Sequence, residues 1–359
     1  MRTWSLLFVF LSAISFSQTS GALFVNTNQT TNQVWSYTRA SDGTLAFAGA
    51  FDTQGKGSAS ELGSQNAVIL SPNRQFLFVV NAASDEITSF SVQPNAQLTF
   101  VSKVSSGGRA PISLSVSGNF LYVLNSSSPA RINAFTIGPT GALTSIAGSA
   151  RRLSVSAPKP AQVQFSNNGS LLVVAERMTS KLDTFTVAAN GLATGPNVQN
   201  SSGIGPFGFA FDSAGHLIVS EVRASAVSSY SVSSSGTISV ITGSLRDFGQ
   251  AACWIANTAN SSFPTQYSYT TNTGSSTISG FAIAANGSLS LLNANGKTFI
   301  LPNHSDPLDE VISDDNNYLY VLEGTYGGVV GLRIGSDGSL AQVTAILGTP
   351  STSYGMAGY

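Results

Sequence analysis

The chain has 359 residues, only 9% of them charged, and a formal net charge of −1. Soluble domains usually carry roughly 25% charged residues; here Ser, Thr, Asn and Gly take their place, and no Lys/Arg cluster or basic stripe offers a footprint for nucleic acid or an anionic membrane. The length admits two average domains or one large all-β domain.

In chain order, Arg2 opens a short positive region, residues 4–16 form an apolar run, and residues 17–22 are small and polar. This layout predicts a secretory signal peptide over residues 1–21, cleaved between Ser17 and Ala22, because about 13 apolar residues are too few to span a bilayer. Secretion agrees with N-x-Ser/Thr acceptors at Asn28, Asn125, Asn168, Asn200, Asn260, Asn286 and Asn303, which are expected to carry glycans. The single cysteine, Cys253, excludes an intrachain disulfide. It lies in an apolar stretch and reads as a buried, inert thiol.

Past the signal, residues 22–26, 34–37 and 45–51 read as three strands. From residue 65 each unit has four. The first strands fall at 65–70, 111–116, 160–165, 206–211, 250–255 and 307–312. The second strands read FLFVVN, FLYVLN, LLVVAE, HLIVSE, QYSYTTN and YLYVLE. The third read ITSFSV, INAFTI, LDTFTV, VSSYSV, ISGFAI and VVGLRI, and a Gly- or Asn-containing turn leads to a fourth. β-Branched and aromatic runs of this length, punctuated by turn residues, signal antiparallel hairpins. A period of about 45 residues with four strands per unit predicts an all-β, seven-bladed β-propeller over residues 22–359. Six units are complete. The N-terminal unit lacks one strand, and the tail at 351–359 is expected to supply it and close the ring. Phe90, Phe135, Phe185, Tyr230 and Phe281 occupy the same third-strand place and are expected to fill the spaces between blades.

Two sets of repeat positions are candidates for chemistry. The ends of the second strands give Asn26, Asn81, Asn125, Glu176, Glu221, Asn272 and Glu323. Asn is a natural strand-ending residue whose side chain caps a turn. Glu is not, so three glutamates suggest a polar channel mouth that binds a cation or a polar ligand. The first strands contribute Gln162 and Asp309, the latter followed by Glu310 on the opposite face. Arg177 and Arg223 follow the glutamates, and Arg109 and Lys159 stand before first strands as rim charges. Asp314 and Asp315 share a turn and read as solvated. Only His216 and His304 are present. Neither has the context of a Ser-His-Asp triad, no residue cluster has zinc spacing, and no glycine-rich phosphate loop opens a helix. No cofactor is expected, and a metal is left open.

The segment SPNRQFLFVVNAASDEITSFSV (residues 71–92) and the period resemble the lactonase family of seven-bladed β-propellers, which includes bacterial 6-phosphogluconolactonases and fungal carboxymuconate-lactonizing enzymes. The resemblance covers essentially residues 22–359. It implies hydrolysis of a lactone, or the reverse cyclisation, at the central channel, with Glu221 as acid/base and Glu176, Glu323, Asp309, Arg177 and Arg223 assisting; the chain is expected to be a monomer. The chain departs from the family at the motif positions. Where the family has Pro-His in blade four, Lys159-Pro160-Ala161-Gln162 stands. Where it has Gly-Pro-Arg-His in blade five, Gly205-Pro206-Phe207-Gly208 stands; of the following Asn-Glu, only Glu221 remains. A lone Glu without a cationic partner is a weak proton-transfer catalyst. The second reading is therefore an extracellular propeller that binds a small lactone, carboxylate, glycan or partner without turnover, and the third a cell-surface or wall structural protein.

Overall fold

Each repeat folds as four antiparallel strands joined by tight turns. Blade 2 shows the pattern: Val68–Leu70 innermost, then Phe76–Asn81, Glu86–Val92 and Leu98–Ser105 outermost. Second strands such as Phe76–Asn81 and Leu171–Glu176 are buried almost throughout. Neighbouring blades cover both of their faces, which is why they read as continuous apolar runs rather than as alternation. Outer strands such as Leu340–Leu347 are largely solvated. Phe90, Phe135, Phe185, Tyr230 and Phe281 are all buried between blades.

The structure is a computed structural model describing residues 19–259 and 263–359. The apolar leader up to residue 18 and the acceptor Asn260 lie outside the described residues. Seven sheets form. The innermost strands of blades 3 to 7 are Pro111–Ser117, Pro160–Phe165, Pro206–Phe211, Ala252–Asn257 and Pro307–Ile312, and Met356–Gly358 serves blade 1. These strands and Val68–Leu70 touch one another in ring order, so the circle is closed.

Closure is made by the tail, as expected. Met356–Gly358 pairs with Thr19–Asn26, matching Val25 with Met356 and Leu23 with Gly358. The first strand begins at Thr19, three residues ahead of the expected start. The seam is reinforced from both sides. Asn26 Nδ2 donates to the Tyr354 carbonyl at 2.9 Å, and Asp309 Oδ2 accepts from the Met356 amide at 2.8 Å. Arg39 donates to the Tyr359 carbonyl and pairs with Asp315. Arg74 pairs with Asp314 and lies over the Tyr359 ring. Asp314 and Asp315 are exposed, as the sequence reading had them, and each pairs with an arginine beside the seam.

Blades 3 and 6 have interrupted outer strands, Leu143–Ser145 with Arg151–Arg152 and Leu289–Leu291 with Phe299–Ile300. Blade-to-blade register is set partly by tyrosines. Tyr122 O–H donates to the Gly191 carbonyl of the next blade at 2.7 Å, and Tyr269 O–H does the same to Gly338 at 2.9 Å. Both glycines have φ near +80°, and a Cβ on either would strike an aromatic ring of the preceding blade, Phe120 or Tyr267. Only glycine satisfies both demands there.

Candidate functional site

The upper face carries the connections between blades and the turns from second to third strands. The seven second-strand ends lie just beneath it, and all are buried. They do not converge. Asn81 accepts from Thr53 Oγ1 at 2.7 Å and donates to Thr88 Oγ1 at 2.9 Å. Asn125 accepts from Ser106 Oγ and donates to Asn133. Glu176 accepts from the Ser154 amide and from the hydroxyls of Ser154 and Thr179. Glu221 accepts from the Gly203 amide at 2.7 Å and the hydroxyls of Ser228 and Ser244, each at 2.6 Å. Asn272 donates to Ser279. Asn26 holds the tail at Tyr354, whereas one carboxylate oxygen of Glu323 is buried without a hydrogen-bond partner.

The pattern corrects the expectation of a polar mouth. Five of the seven side chains, Asn26, Asn81, Asn125, Glu176 and Glu221, pin the connection entering their own blade, and where a third-strand partner is bonded it belongs to that blade. At Glu176 and Glu221 three donors meet, drawn from the entering connection and from the blade's own turn or strands, which a carboxylate can accept and an amide oxygen cannot. In blade 4 a second acid, Asp183, accepts the same Ser154 amide at 3.0 Å. Burial, and then the Glu176 charge, pushes Asp183 up to about 8. Among the described residues no group of three or more His, Cys, Asp or Glu side chains gathers as a metal would need.

Gln162 and Asp309 are also structural. Gln162 donates to and accepts from the Phe209 backbone, at 2.9 and 2.6 Å, stitching blade 4 to blade 5. Asp309 holds the closing strand; burial pushes its carboxyl up to about 7. Glu310 is buried too, and burial together with the Asp309 charge raises it well above the usual carboxylate range.

Arg177 and Arg223, in contrast, come together. Both follow the second-strand ends, in the turns that lead from second to third strands, where the chain leaves the blade. A cavity of about 390 Å³ on the upper face is lined by Glu61, Leu62, Gly63, Lys159, Arg177, Met178, Val222 and Arg223. Its floor is the connection from blade 1 to blade 2, residues 53–67, which dips across the channel. Gln65 donates its backbone N–H to Ala161 in blade 4 at 3.1 Å. Its side chain donates to the Ile255 carbonyl and accepts the Ile255 amide in blade 6, at 2.8 and 3.1 Å. Trp254 Nε1 donates to the Ser64 carbonyl at 2.9 Å, and Leu62 packs against three interblade cores. Residues 62–65 therefore plug the channel below the cavity.

The plug explains the departures at the motif positions. A Cβ on Gly208 would lie 2.2 Å from Gln65 Oε1, so the space above blade 5 is filled by a side chain from the other side of the ring. Phe207 is buried, and its ring carries the Arg177 guanidinium 5.2 Å from the centroid, a cation–π contact. Burial lowers the Arg177 pKa, and the Glu61 charge opposes that shift. After burial, the Glu61 charge also raises Asp306, Tyr354 and Cys253. Cys253 is buried as expected, its thiol pushed up to about 12.

Glu61 is the cavity residue that the repeat could not reveal, because it belongs to no repeat position. The available signal was the length of its connection, in which Lys56 and Glu61 are the only charges. Lys159 joins the cavity, whereas Arg109 is exposed beside Asp85. His216 bonds Asp212 at 2.7 Å in a turn of the lower face, and His304 is exposed outside the cavity. Of the glycan acceptors, Asn28 and Asn125 are buried, so neither can carry a glycan in the folded chain. Asn168, Asn200, Asn286 and Asn303 are exposed.

Comparison with known proteins gives the same architecture. The family described as Lactonase, 7-bladed beta-propeller, matches residues 13–154 and 149–256. A Bacteroides fragilis protein with a provisional 6-phosphogluconolactonase assignment superposes with a TM-score of 0.73 at 18% identity, covering 96% of this chain and 99% of its own. The periplasmic gluconolactonase of Pseudomonas aeruginosa superposes with a TM-score of 0.70 at 16% identity, covering 93% and 98%. At such identities these structures speak to the fold alone. No curated protein sequence matches the chain. With the family matched over more than half of its length and the ring complete, the chain belongs to the seven-bladed β-propeller family of lactonases.

Proposed function

We propose that this propeller binds a small lactone at the upper mouth of its plugged channel and hydrolyses it. The observation that supports this reading is the convergence of Lys159, Arg177, Arg223 and Glu61 on one cavity. On this reading the half-buried Arg177 guanidinium polarises the lactone carbonyl and stabilises the oxyanion that forms on it. Glu61 takes a proton from the attacking water. The new C–O bond forms as the ring C–O bond breaks, and the proton returns to the ring oxygen, giving a hydroxy acid. Lys159 and Arg223 hold the carboxylate product or an anionic substituent. The same reading places the protein outside the cell, supported by the apolar leader and the exposed acceptor asparagines.

The test is a panel of γ- and δ-lactones with purified protein and two variants, Arg177→Gln and Glu61→Gln. The expected result is turnover above background, reduced at least tenfold in each. Turnover indistinguishable from buffer across the panel would overturn the hydrolase reading. One observation favours a second reading, binding without catalysis: neither histidine lies in the cavity. Lactones or hydroxy acids would then raise the melting temperature without being converted.

A further inference from the structure

We infer that the channel-mouth cavity is built for an amphiphile: an anionic or carbonyl head on Lys159, Arg177 and Arg223, and an aliphatic tail lying across Met178, Ile204 and Val155. The inference deepens the proposed function by naming a substrate class, and it stands on the distribution of exposed apolar side chains. Among the described residues the large apolar side chains that remain exposed fall into two groups. Phe47, Val198, Val240, Ile300 and Leu347 lie on outer strands. Val155, Met178, Ile204, Phe248 and Tyr326 all lie in loops of the upper face, and the loops of the lower face contribute none. Isolated exposed apolar residues are ordinary; a one-sided concentration around a cavity marks a binding surface.

The three nearest the cavity are held as one surface. The Met178 amide donates to the Pro158 carbonyl at 3.0 Å and the Arg177 amide to the Lys159 carbonyl at 3.2 Å, which docks the 177–180 turn on the connection carrying Val155. On its other side the Gly205 amide donates to Ser180 Oγ at 3.1 Å, docking the connection carrying Ile204. Gly205 in turn abuts Val222 and Arg223 of the cavity wall. Val155, Met178 and Ile204 keep 48%, 55% and 50% of their surface exposed. The wall below them continues the apolar surface through Val222 and Leu62, beside the three cations. The charge complementarity is specific. The cavity carries three positive groups against Glu61 alone, on a chain that is otherwise nearly uncharged. A polyanion without a tail leaves the apolar rim unused, and a neutral alkane leaves the cations unpaired.

The test is isothermal titration of the intact protein with butanoate, hexanoate, octanoate and decanoate, each below its micellar concentration. Affinity is expected to rise about two- to fourfold per added methylene, the range for a tail half to fully removed from water. In the double variant Met178→Ser, Ile204→Ser the slope should flatten to less than 1.5-fold per methylene. In Arg177→Gln the affinity should fall about tenfold at every length. A flat series in the unaltered protein, or a slope that survives the double variant, overturns the inference. The lactone panel separates this outcome from the proposed reaction. Length-dependent binding without turnover supports the amphiphile site and removes the hydrolase. Turnover of short polar lactones with a flat alkanoate series does the reverse.

Discussion

Asp309→Asn at the ring seam should reverse part of an unusual pH dependence. In the folded chain the Asp309 carboxyl is fully buried and pushed up to about 7, whereas an unfolded Asp titrates near 3.9. Between those values the native state holds a proton that the unfolded chain has released. Stability from this group is therefore complete below about pH 4 and is lost as pH rises to about 7. At about 1.4 kcal/mol per pKa unit the full window is worth about 4 kcal/mol, of which about 3 kcal/mol falls between pH 5 and pH 8. For a chain of this length that corresponds to roughly 4 °C in melting temperature. Asn is the neutral isostere. It can still accept the Met356 amide, but it must present its NH₂ to the Glu310 amide, which now bonds the other carboxylate oxygen. Melting curves at pH 5 and pH 8 should show the unaltered protein less stable at pH 8, and the variant with a difference smaller by about 4 °C. Asp309 also raises Glu310, so its removal weakens the neighbouring contribution in the same direction. An unchanged pH 5 to pH 8 difference in the variant would refute the argument that a buried proton sits at the seam.

Three further outcomes follow from the same geometry. Glu221→Gln replaces an acceptor of three hydrogen bonds by a group with one acceptor atom, so it should lower stability by about 1–3 kcal/mol and leave lactone turnover within twofold; melting and kinetics on one preparation decide, and abolished turnover with intact stability would reinstate the second-strand ring as the active site. Gly208→Ala drives a methyl into Gln65 and the Cys253 carbonyl, so it should release the plug, lower stability by roughly 1–3 kcal/mol and speed hydrogen exchange at the Gln65 and Ile255 amides; unchanged exchange there would deny the plug its role. Met356→Ala removes a buried side chain from the core behind the seam and should cost about 2–5 kcal/mol, read by denaturant unfolding; a loss below 1 kcal/mol would mean that the tail does not hold the ring.

Much of the architecture was legible in the chain. The repeat exposes the blade because each blade meets the same physical demand: two central strands covered on both faces, an outer strand half in water, and turns that need Gly or Asn. Counting strands located the latch, because one missing strand and one surplus strand can be satisfied together only by closing the circle. The site was half legible. Arg177 and Arg223 were named, but as helpers of glutamates that turn out to be hydrogen-bond anchors. Equivalent positions in a repeat share their backbone environment, so the most regular set of polar residues, Asn26 to Glu323, mostly serves a regular need, with five of the seven holding the connection that enters their blade. The proposed site lies where the repeat is broken.

The sequence by itself determined the ring, its seven blades and its closure, since these follow from local strand patterns and their number. The tertiary structure alone decided which residues gather at the mouth of the channel. Gln65 reaches Ile255, 190 residues away, and only the closed ring brings them together. That contact plugs the channel beneath the cavity that Glu61 lines, and leaves no room for a side chain at Gly208. No spacing rule within a blade encodes a bond across the axis, because the distance it spans is fixed by the number of blades and not by the residues between them.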